Sequence, residues 1–286
     1  MASFSHCIIC NAPQLLAMPA YAHSYLVRCK ACNFVFCSEI PTTQTLSDFY
    51  SRYPVSNSLS QLTAKRYDEW LDSFEPFRKL NTILDVGCGD GYLLERAILK
   101  GWKVFGTEYT DRQVKQGIAK GINMHQGALD ISNYAVNSFD VICSIEVIEH
   151  INNPMEELSK FNYLLRQGGA VYVTTPNFNA LSHDYFKAQW NIITYPEHLC
   201  YFTKSTLINA FLRNGFKCSR FITTGISVKR YKQSVRNDRS IARSTDEQVR
   251  NKVEEKWYLR IVKNSINSLL TLFSKGDTLK GLFIKQ

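Results

Sequence analysis

Three groups of residues have types and spacings that could do chemistry. The first is Asp85-Val86-Gly87-Cys88-Gly89-Asp90-Gly91-Tyr92, which follows the apolar pair Ile83-Leu84. An apolar strand, a glycine-rich turn and a helix bring backbone N–H groups up to a polar ligand, and the glycine spacing decides which ligand. Dinucleotide turns read G-x-G-x-x-G, with the third glycine packing helix on strand. Here the spacing is G-x-G-x-G, and Tyr92 stands where that last glycine is needed. The lysine and Ser/Thr of a phosphate-cradling loop are absent as well. The second group is Cys7-x2-Cys10 and Cys29-x2-Cys32, two knuckles separated by eighteen residues. Four thiolates form the closed tetrahedral shell of a structural zinc site, with no position open for catalysis. The third group is a pair of histidines with acids beside them, in Glu146-Val147-Ile148-Glu149-His150 and in Tyr195-Pro196-Glu197-His198. Imidazole exchanges protons near neutral pH, which suits a general base.

The elements that must position these residues follow from the pattern of apolar runs. From residue 81 onward, strands are expected near 81–86, 102–107, 122–125, 138–145 and 169–175, alternating with helices near 91–100, 111–120 and 154–166. That alternation marks an α/β fold, a parallel sheet with helices on both faces. Pro154 suits a first helical turn, and Gly168-Gly169 is expected to end that helix. The chain is divided into a ribbon at 1–40, a helical connector at 41–80 and a catalytic domain at 81–286. The connector is expected to carry a short helix from Leu46 to Tyr50 and a second at 60–78 with Arg66, Tyr67 and Trp70. Residues 176–203, rich in aromatics and holding Pro176 and Pro196, read as an irregular loop over the carboxyl ends of the strands. A helix at Lys204–Asn214, a strand at 217–224 and a last strand at Leu279–Lys285 complete the pattern.

The glycine turn resembles motif I of class I S-adenosylmethionine-dependent methyltransferases, and Glu108, ending the strand Trp102–Thr107, matches the family's second landmark. The resemblance implies a Rossmann-like sheet and a cofactor site made by Asp85, Gly87, Cys88, Gly89, Gly91, Glu108, Tyr109, Ala128, Leu129 and Ile145. Glu108 would accept from the two ribose hydroxyls. Many relatives place an acid after the third strand to meet the adenine amine, whereas Gln126-Gly127-Ala128-Leu129 has none before Asp130, so a backbone contact is expected there. With the four cysteines included, residues 7–286 resemble methyltransferases that join an N-terminal zinc domain to a class I core and act on sugars in surface-polysaccharide pathways. The sugar C-methyltransferases of that group carry a similar Tyr-x-Glu-His element, matched by Tyr195, Glu197 and His198, which implies His198 as a base. The stretch Asp85–His150 is also similar to ubiquinone-pathway O-methyltransferases, whose Glu-x-x-Glu-His element is matched by Glu146, Glu149 and His150.

For His150, three roles stay open: base or substrate contact, a loop-orienting role, or a metal site with Glu146 and Glu149. Sugar C-methyltransferases of the zinc-domain group carry a further C-terminal domain, so O-methylation of a sugar or glycan precursor is the leading expectation. RNA, quinone-type and C-methylation are the alternatives. A zinc-ribbon binding protein with an inactive methyltransferase fold is the rival of another class, and the intact Asp85, glycines and Glu108 argue against it.

Composition narrows the setting. With 45% apolar residues the 286-residue chain can bury a sizeable core, and no apolar run reaches the length of a membrane span. It lacks a charged start followed by an apolar segment, so it reads as cytoplasmic, where nine cysteines argue against a disulfide framework. Cys37 is expected to be a buried thiol outside the metal shell, and His125 and His183 to be ordinary polar positions. The net charge of +9 is uneven: residues 211–286 hold 17 Lys and Arg against 6 Asp and Glu, giving +11 there and −2 before it. Such charge is either a solvated face or a contact with something acidic. The ribbon offers only Arg28 and Lys30 near its second knuckle, which speaks against nucleic acid. Residues 229–275 form the expected insertion before the last strand, with Trp257, Ile261, Ile266, Leu269, Leu270 and Phe273 in an amphipathic pattern. The two readings are a helical hairpin packed on the domain, or peripheral membrane or dimer contact.

Overall fold

A computed structural model describes residues 2–50, 59–225, 235 and 256–286. Most of the expected insertion, residues 229–234 and 236–255, lies outside the described residues, as does 51–58 of the connector. In chain order the strands are β1 (Ala2–Ser3), β2 (Leu15–Ala17), β3 (Leu26–Cys29), β4 (Val35–Cys37), β5 (Glu39–Ile40), β6 (Thr82–Val86), β7 (Lys103–Glu108), β8 (Asn123–Gln126), β9 (Phe139–Ile145), β10 (Leu165–Pro176), β11 (Cys200–Tyr201), β12 (Phe216–Thr224) and β13 (Thr278–Lys285). The chain forms two compact units. One comprises Met1–Pro41, Thr175–Leu207 and Phe221–Lys280, the other Thr42–Thr174, Ile208–Arg220 and Gly281–Gln286.

The second unit is built on a seven-stranded sheet of order β12-β13-β10-β9-β6-β7-β8. The pairs β6–β7, β6–β9, β7–β8 and β9–β10 are parallel, as the strand–helix alternation requires. The last strand, β13, stands between β10 and β12. Ile83, Leu84, Val141 and Ile142 are fully buried, so the centre of the sheet is covered on both sides. Helix Gln61–Phe74 starts at Ser60, whose hydroxyl accepts from Thr63 N, and buries Leu71 and Phe74 in the cluster with Ile83 and Val141. Asp140, fully buried on β9, ties the entry to β6: its Oδ2 accepts from the amides of Lys79, Leu80 and Asn81 at 3.0, 2.7 and 2.7 Å. Its Oδ1 accepts from Arg166 Nε at 2.6 Å. Four charge-assisted bonds satisfy a carboxylate that burial alone would not tolerate.

Gly168-Gly169 does not end a helix. The helix Pro154–Leu164 gives way directly to β10, and the glycines form an irregularity in that strand, between Leu165 paired with Phe139 and Ala170 paired with Val141. A Cβ on Gly169 would stand 2.9 Å from the Arg166 carbonyl oxygen and 3.0 Å from that of Asp140. The helix terminus is closed instead by Lys285 Nζ, which donates to the Leu165 carbonyl at 2.9 Å and to the Asn162 carbonyl at 2.5 Å.

The first unit contains a four-stranded sheet of order β11-β4-β3-β2, antiparallel throughout. Residues 176–203 are therefore less irregular than the sequence suggests: they form the helix Leu181–Phe186 and give β11 to the ribbon's sheet. Trp190, Ile192, Ile193, Leu199 and Tyr201 join Tyr21, Leu26 and Val35 in one buried cluster. Pro176 and most aromatics of this segment are core rather than open loop, while Pro196 and Tyr195 are half-buried and Tyr185 is exposed.

Candidate functional site

In the second unit, β6 runs into the glycine turn and then the helix Tyr92–Leu99. Gly87, Gly89 and Gly91 have φ of +67°, +54° and +71°, the left-handed region that glycine enters without strain. The turn is locked to β7. Gly87 N donates to Thr107 Oγ1 at 3.3 Å, Cys88 N to the Thr107 carbonyl at 3.0 Å, and Gly91 N to the Cys88 carbonyl at 3.0 Å. Gly89 N donates to Glu108 Oε2 at 3.0 Å. These amides are therefore engaged inside the protein, and a ligand meets acidic side chains here instead of a nest of open N–H groups. A Cβ on Gly87 would stand 2.6 Å from Val147 Cγ2, whereas one on Gly89 would meet only Gln113 Nε2 at 3.7 Å. The turn is closed behind Gly87 and open at Gly89.

Two carboxylates face this turn. Glu108 accepts from Gly89 N through Oε2 and from Tyr109 N at 2.7 Å and Thr110 N at 3.3 Å through Oε1. Asp85 is buried, and its Oδ1 has no hydrogen-bond partner among the described residues. Burial first, and the charge of Glu108 second, push its carboxyl up to about 8. A cationic ligand group beside it would restore the ionised form. S-adenosylmethionine carries an ammonium and a sulfonium, and when bound it supplies an activated methyl group to an electron-rich atom. A buried acid with an unpartnered oxygen, an open glycine and a second carboxylate at the turn fit that molecule. Of the other expected contacts, Cys88 sits in the turn, Tyr109 and Ala128 are exposed, Leu129 is buried, and half-buried Ile145 ends β9. Asp130 Oδ1 caps the turn Ile131–Asn133 by accepting from Ser132 N at 2.9 Å.

The sequence reading gave Arg66 no role. On helix Gln61–Phe74 its guanidinium lies 5.3 Å from the centre of the Trp70 ring and 5.9 Å from that of Tyr67, and its Nε is buried with no hydrogen-bond partner among the described residues. A guanidinium with an open donor takes a carboxylate or phosphate. Its only signal was the grouping Arg66-Tyr67-x2-Trp70, which does not distinguish a tucked charge from a solvated one.

His150 closes the short turn Ile148–His150 that follows β9, with Nε2 3.9 Å from Oε1 of buried Glu149. Glu146 does not complete a metal site with them. It holds φ +55°, strained for a residue with a side chain, and its Oε1 accepts from Thr174 Oγ1 at 3.0 Å while its N donates to the Thr174 carbonyl.

In the first unit, the Sγ atoms of Cys7, Cys10, Cys29 and Cys32 all lie within 4.8 Å of one another, with Cys7–Cys32 and Cys10–Cys29 at 3.5 Å. Thiolates about 2.3 Å from a tetrahedral ion lie about 3.8 Å apart, so this cluster can hold one. The two knuckles are built alike: Asn11 and Asn33, at φ 58° and 59°, donate their amides to the carbonyls of Cys7 and Cys29. Burial opposes a thiolate at Cys29, but the amides of Cys32 and Ala31 together with the Cys10 and Cys32 thiols outweigh it and bring the thiol down to about 7. Cys37 is not a ligand; it is buried and its Sγ donates to the carbonyls of Ser24 and His198.

In the same unit, His198 is buried, with its Nδ1 2.8 Å from the Ile192 carbonyl. A carbonyl only accepts, so the neutral ring carries its proton on Nδ1 and leaves Nε2 basic. Glu197 accepts from Thr194 Oγ1 at 3.3 Å, and the Tyr195 ring stands edge-on to Tyr25 at 5.0 Å. His183 is locked in the core, its Nε2 2.9 Å from Tyr21 Oη, and burial lowers it to about 4.

The Asp85 carboxyl sets a pH dependence. Neutral below about 8 in the free protein, it must lose its proton to meet a cation, so ligand binding should release a proton. Affinity for S-adenosylhomocysteine, measured by calorimetry, should rise with pH, approaching about tenfold per unit below the Asp85 transition and levelling above it. Asp85→Asn should flatten the profile; an equally flat wild-type profile would contradict this role.

Residues 59–220 match the model of a methyltransferase domain. The ubiquinone biosynthesis O-methyltransferase of Roseobacter denitrificans (strain ATCC 33942 / OCh 114) is 33% identical over 129 residues, covering 42% of this chain and 50% of its own. That of Cereibacter sphaeroides (strain KD131 / KCTC 12085) is 32% identical over 132 residues, covering 43% and 52%. The chain thus spans about half the length of these curated relatives. Among solved structures, a SAM-dependent methyltransferase from Archaeoglobus fulgidus superposes with a TM-score of 0.53 at 16% identity, over 85% of this chain and all of that one, a likeness of fold. With the domain match covering more than half of its length, the chain belongs to the methyltransferase-domain family.

Proposed function

We propose that the methyl group goes to a hydroxyl oxygen of a small acceptor, with His150 taking the hydroxyl proton. The observation that carries this reading is the placement of His150 after β9, in the unit that holds Asp85 and Glu108, with the Glu149 carboxylate 3.9 Å from its ring. A carboxylate beside the ring favours the imidazolium that proton uptake creates. The base works by raising the charge on oxygen as the methyl group is transferred. His198 is the second candidate, supported by the Nδ1–Ile192 bond that leaves Nε2 basic, with Tyr195 and Glu197 as its neighbours in sequence.

The acceptor is a sugar or surface-glycan precursor, a reading supported by the four-cysteine cluster ahead of the methyltransferase core. A ubiquinone-pathway acceptor is the second reading, favoured by the 33% identity to an O-methyltransferase of that pathway. The ion of the cysteine cluster is zinc in a structural role, since four thiolates close its shell.

His150→Ala, with S-adenosylhomocysteine binding retained, should lower turnover about a hundredfold. A loss confined to His198→Ala would move the base there, and full turnover in both would remove it. Mass-spectrometric screening of nucleotide sugars, lipid-linked glycans and polyphenols for methylated products should yield a sugar ether. A methylated phenol alone would select the second reading. Metal analysis should find one zinc per chain, and its removal by a chelator should lower the thermal midpoint, because metal binding contributes to folding. Equal stability without metal would contradict the structural assignment.

A further inference from the structure

Glu108 has little room left for a ligand. A carboxylate offers about four acceptor positions. Backbone amides take three of them: Tyr109 N and Thr110 N fill Oε1 at 2.7 and 3.3 Å, and Gly89 N occupies one side of Oε2 at 3.0 Å. One position remains, on the oxygen that is bonded to Gly89. A vicinal diol such as that of a ribose has two hydroxyls to place, so the second needs another partner at the same glycine. The open side of Gly89 supplies one. Apart from the adjoining residues, the one described atom within 4 Å of a Cβ placed there is Gln113 Nε2, at 3.7 Å.

Gln113 stands on the helix Asp111–Ala119, which starts from Thr110, so one corner after β7 carries both Glu108 and Gln113. All of these residues belong to the second unit. The partners of the Gln113 amide fix its orientation. The Asp90 carboxylate accepts from Nε2 at 3.2 Å, and Thr110 Oγ1 donates to Oε1. A side-chain amide has two N–H donors and two acceptor positions, so one of each is left. A hydroxyl both donates and accepts, and it can use either. The side chain is half-buried, which leaves it within reach of a ligand. Asp90 has a second anchor that does not involve Gln113: Lys120 Nζ donates to its carbonyl at 2.9 Å and pairs with Glu95 at 3.0 Å. The turn is therefore held without the Gln113 amide, whose unused donor and acceptor suit a hydroxyl beside Gly89.

We propose that Gln113 binds the cofactor's ribose, taking one of its two hydroxyls while Glu108 takes the other. This rests on the reading of S-adenosylmethionine as the ligand of the turn. The test is calorimetry of the full chain with S-adenosylhomocysteine and with its 2′-deoxy and 3′-deoxy analogues. Gln113→Ala should weaken binding of S-adenosylhomocysteine about fivefold, the loss of one neutral hydrogen bond. With one analogue that loss should vanish, because the hydroxyl it depends on is gone, and with the other it should persist. The larger part of the Glu108→Ala loss should vanish with that other analogue. The ligands are compared within one variant, so a change in its stability cancels. Equal losses for all three ligands would make Gln113 a brace of the turn and overturn the proposal. So would a loss that vanishes with the same analogue as that of Glu108→Ala, since Gln113 would then act only through Glu108. A Gln113→Ala chain that binds S-adenosylhomocysteine as tightly as the wild type would overturn it too. A wild-type chain that binds none of the three ligands would instead remove the cofactor reading, and this proposal with it.

Discussion

The burial of Asp85 beneath the glycine turn, opposite Glu108, is the constraint on which the second unit depends. A carboxyl pushed up to about 8 by desolvation and by a neighbouring acid is costly for a folded protein. The surroundings hold it in place: β6 is paired on both sides by β7 and β9, and the turn that follows is bonded to Thr107 and Glu108. The parallel sheet, the positive φ of the glycines and the packing of Val147 behind Gly87 all serve to place the two acids at the turn. The strain at Glu146, one strand away, belongs to the same pattern of local cost concentrated at a working site.

The first unit answers a different constraint. Its short strands bury little by themselves, and the four thiols that converge at 3.5 to 4.8 Å would repel one another as thiolates without an ion. The segment 175–207 supplements this small sheet with a strand and with the aromatic cluster around Trp190 and His183. Borrowed core is one way of stabilising a sheet too small to stand alone, and metal ligation, as proposed for the four thiols, is another.

Much of the second unit was legible in the sequence, because strand and helix periods are local: the strands expected at 81–86, 102–107 and 138–145 are observed within one residue as β6, β7 and β9. The cysteine knuckles were legible because their spacing is itself the geometry. What failed depends on partners distant in sequence. Gly168-Gly169 reads as a helix end but forms a strand irregularity, since Leu165 already pairs with Phe139. The 176–203 segment reads as loop because the strand that receives β11, Val35–Cys37, lies about 160 residues earlier. The engaged amides of the glycine turn and the tucked Arg66 are likewise properties of neighbours, not of the local pattern.

The account rests on the acids around the glycine turn receiving S-adenosylmethionine, and its most direct test is calorimetric titration with S-adenosylhomocysteine of the wild-type chain and of Glu108→Ala. The geometry predicts one site per chain in the wild type and binding weakened at least about tenfold by removing the Glu108 carboxylate, the loss of a charged hydrogen-bond acceptor. A wild-type chain that binds none, or a Glu108→Ala chain that binds as tightly, would contradict it.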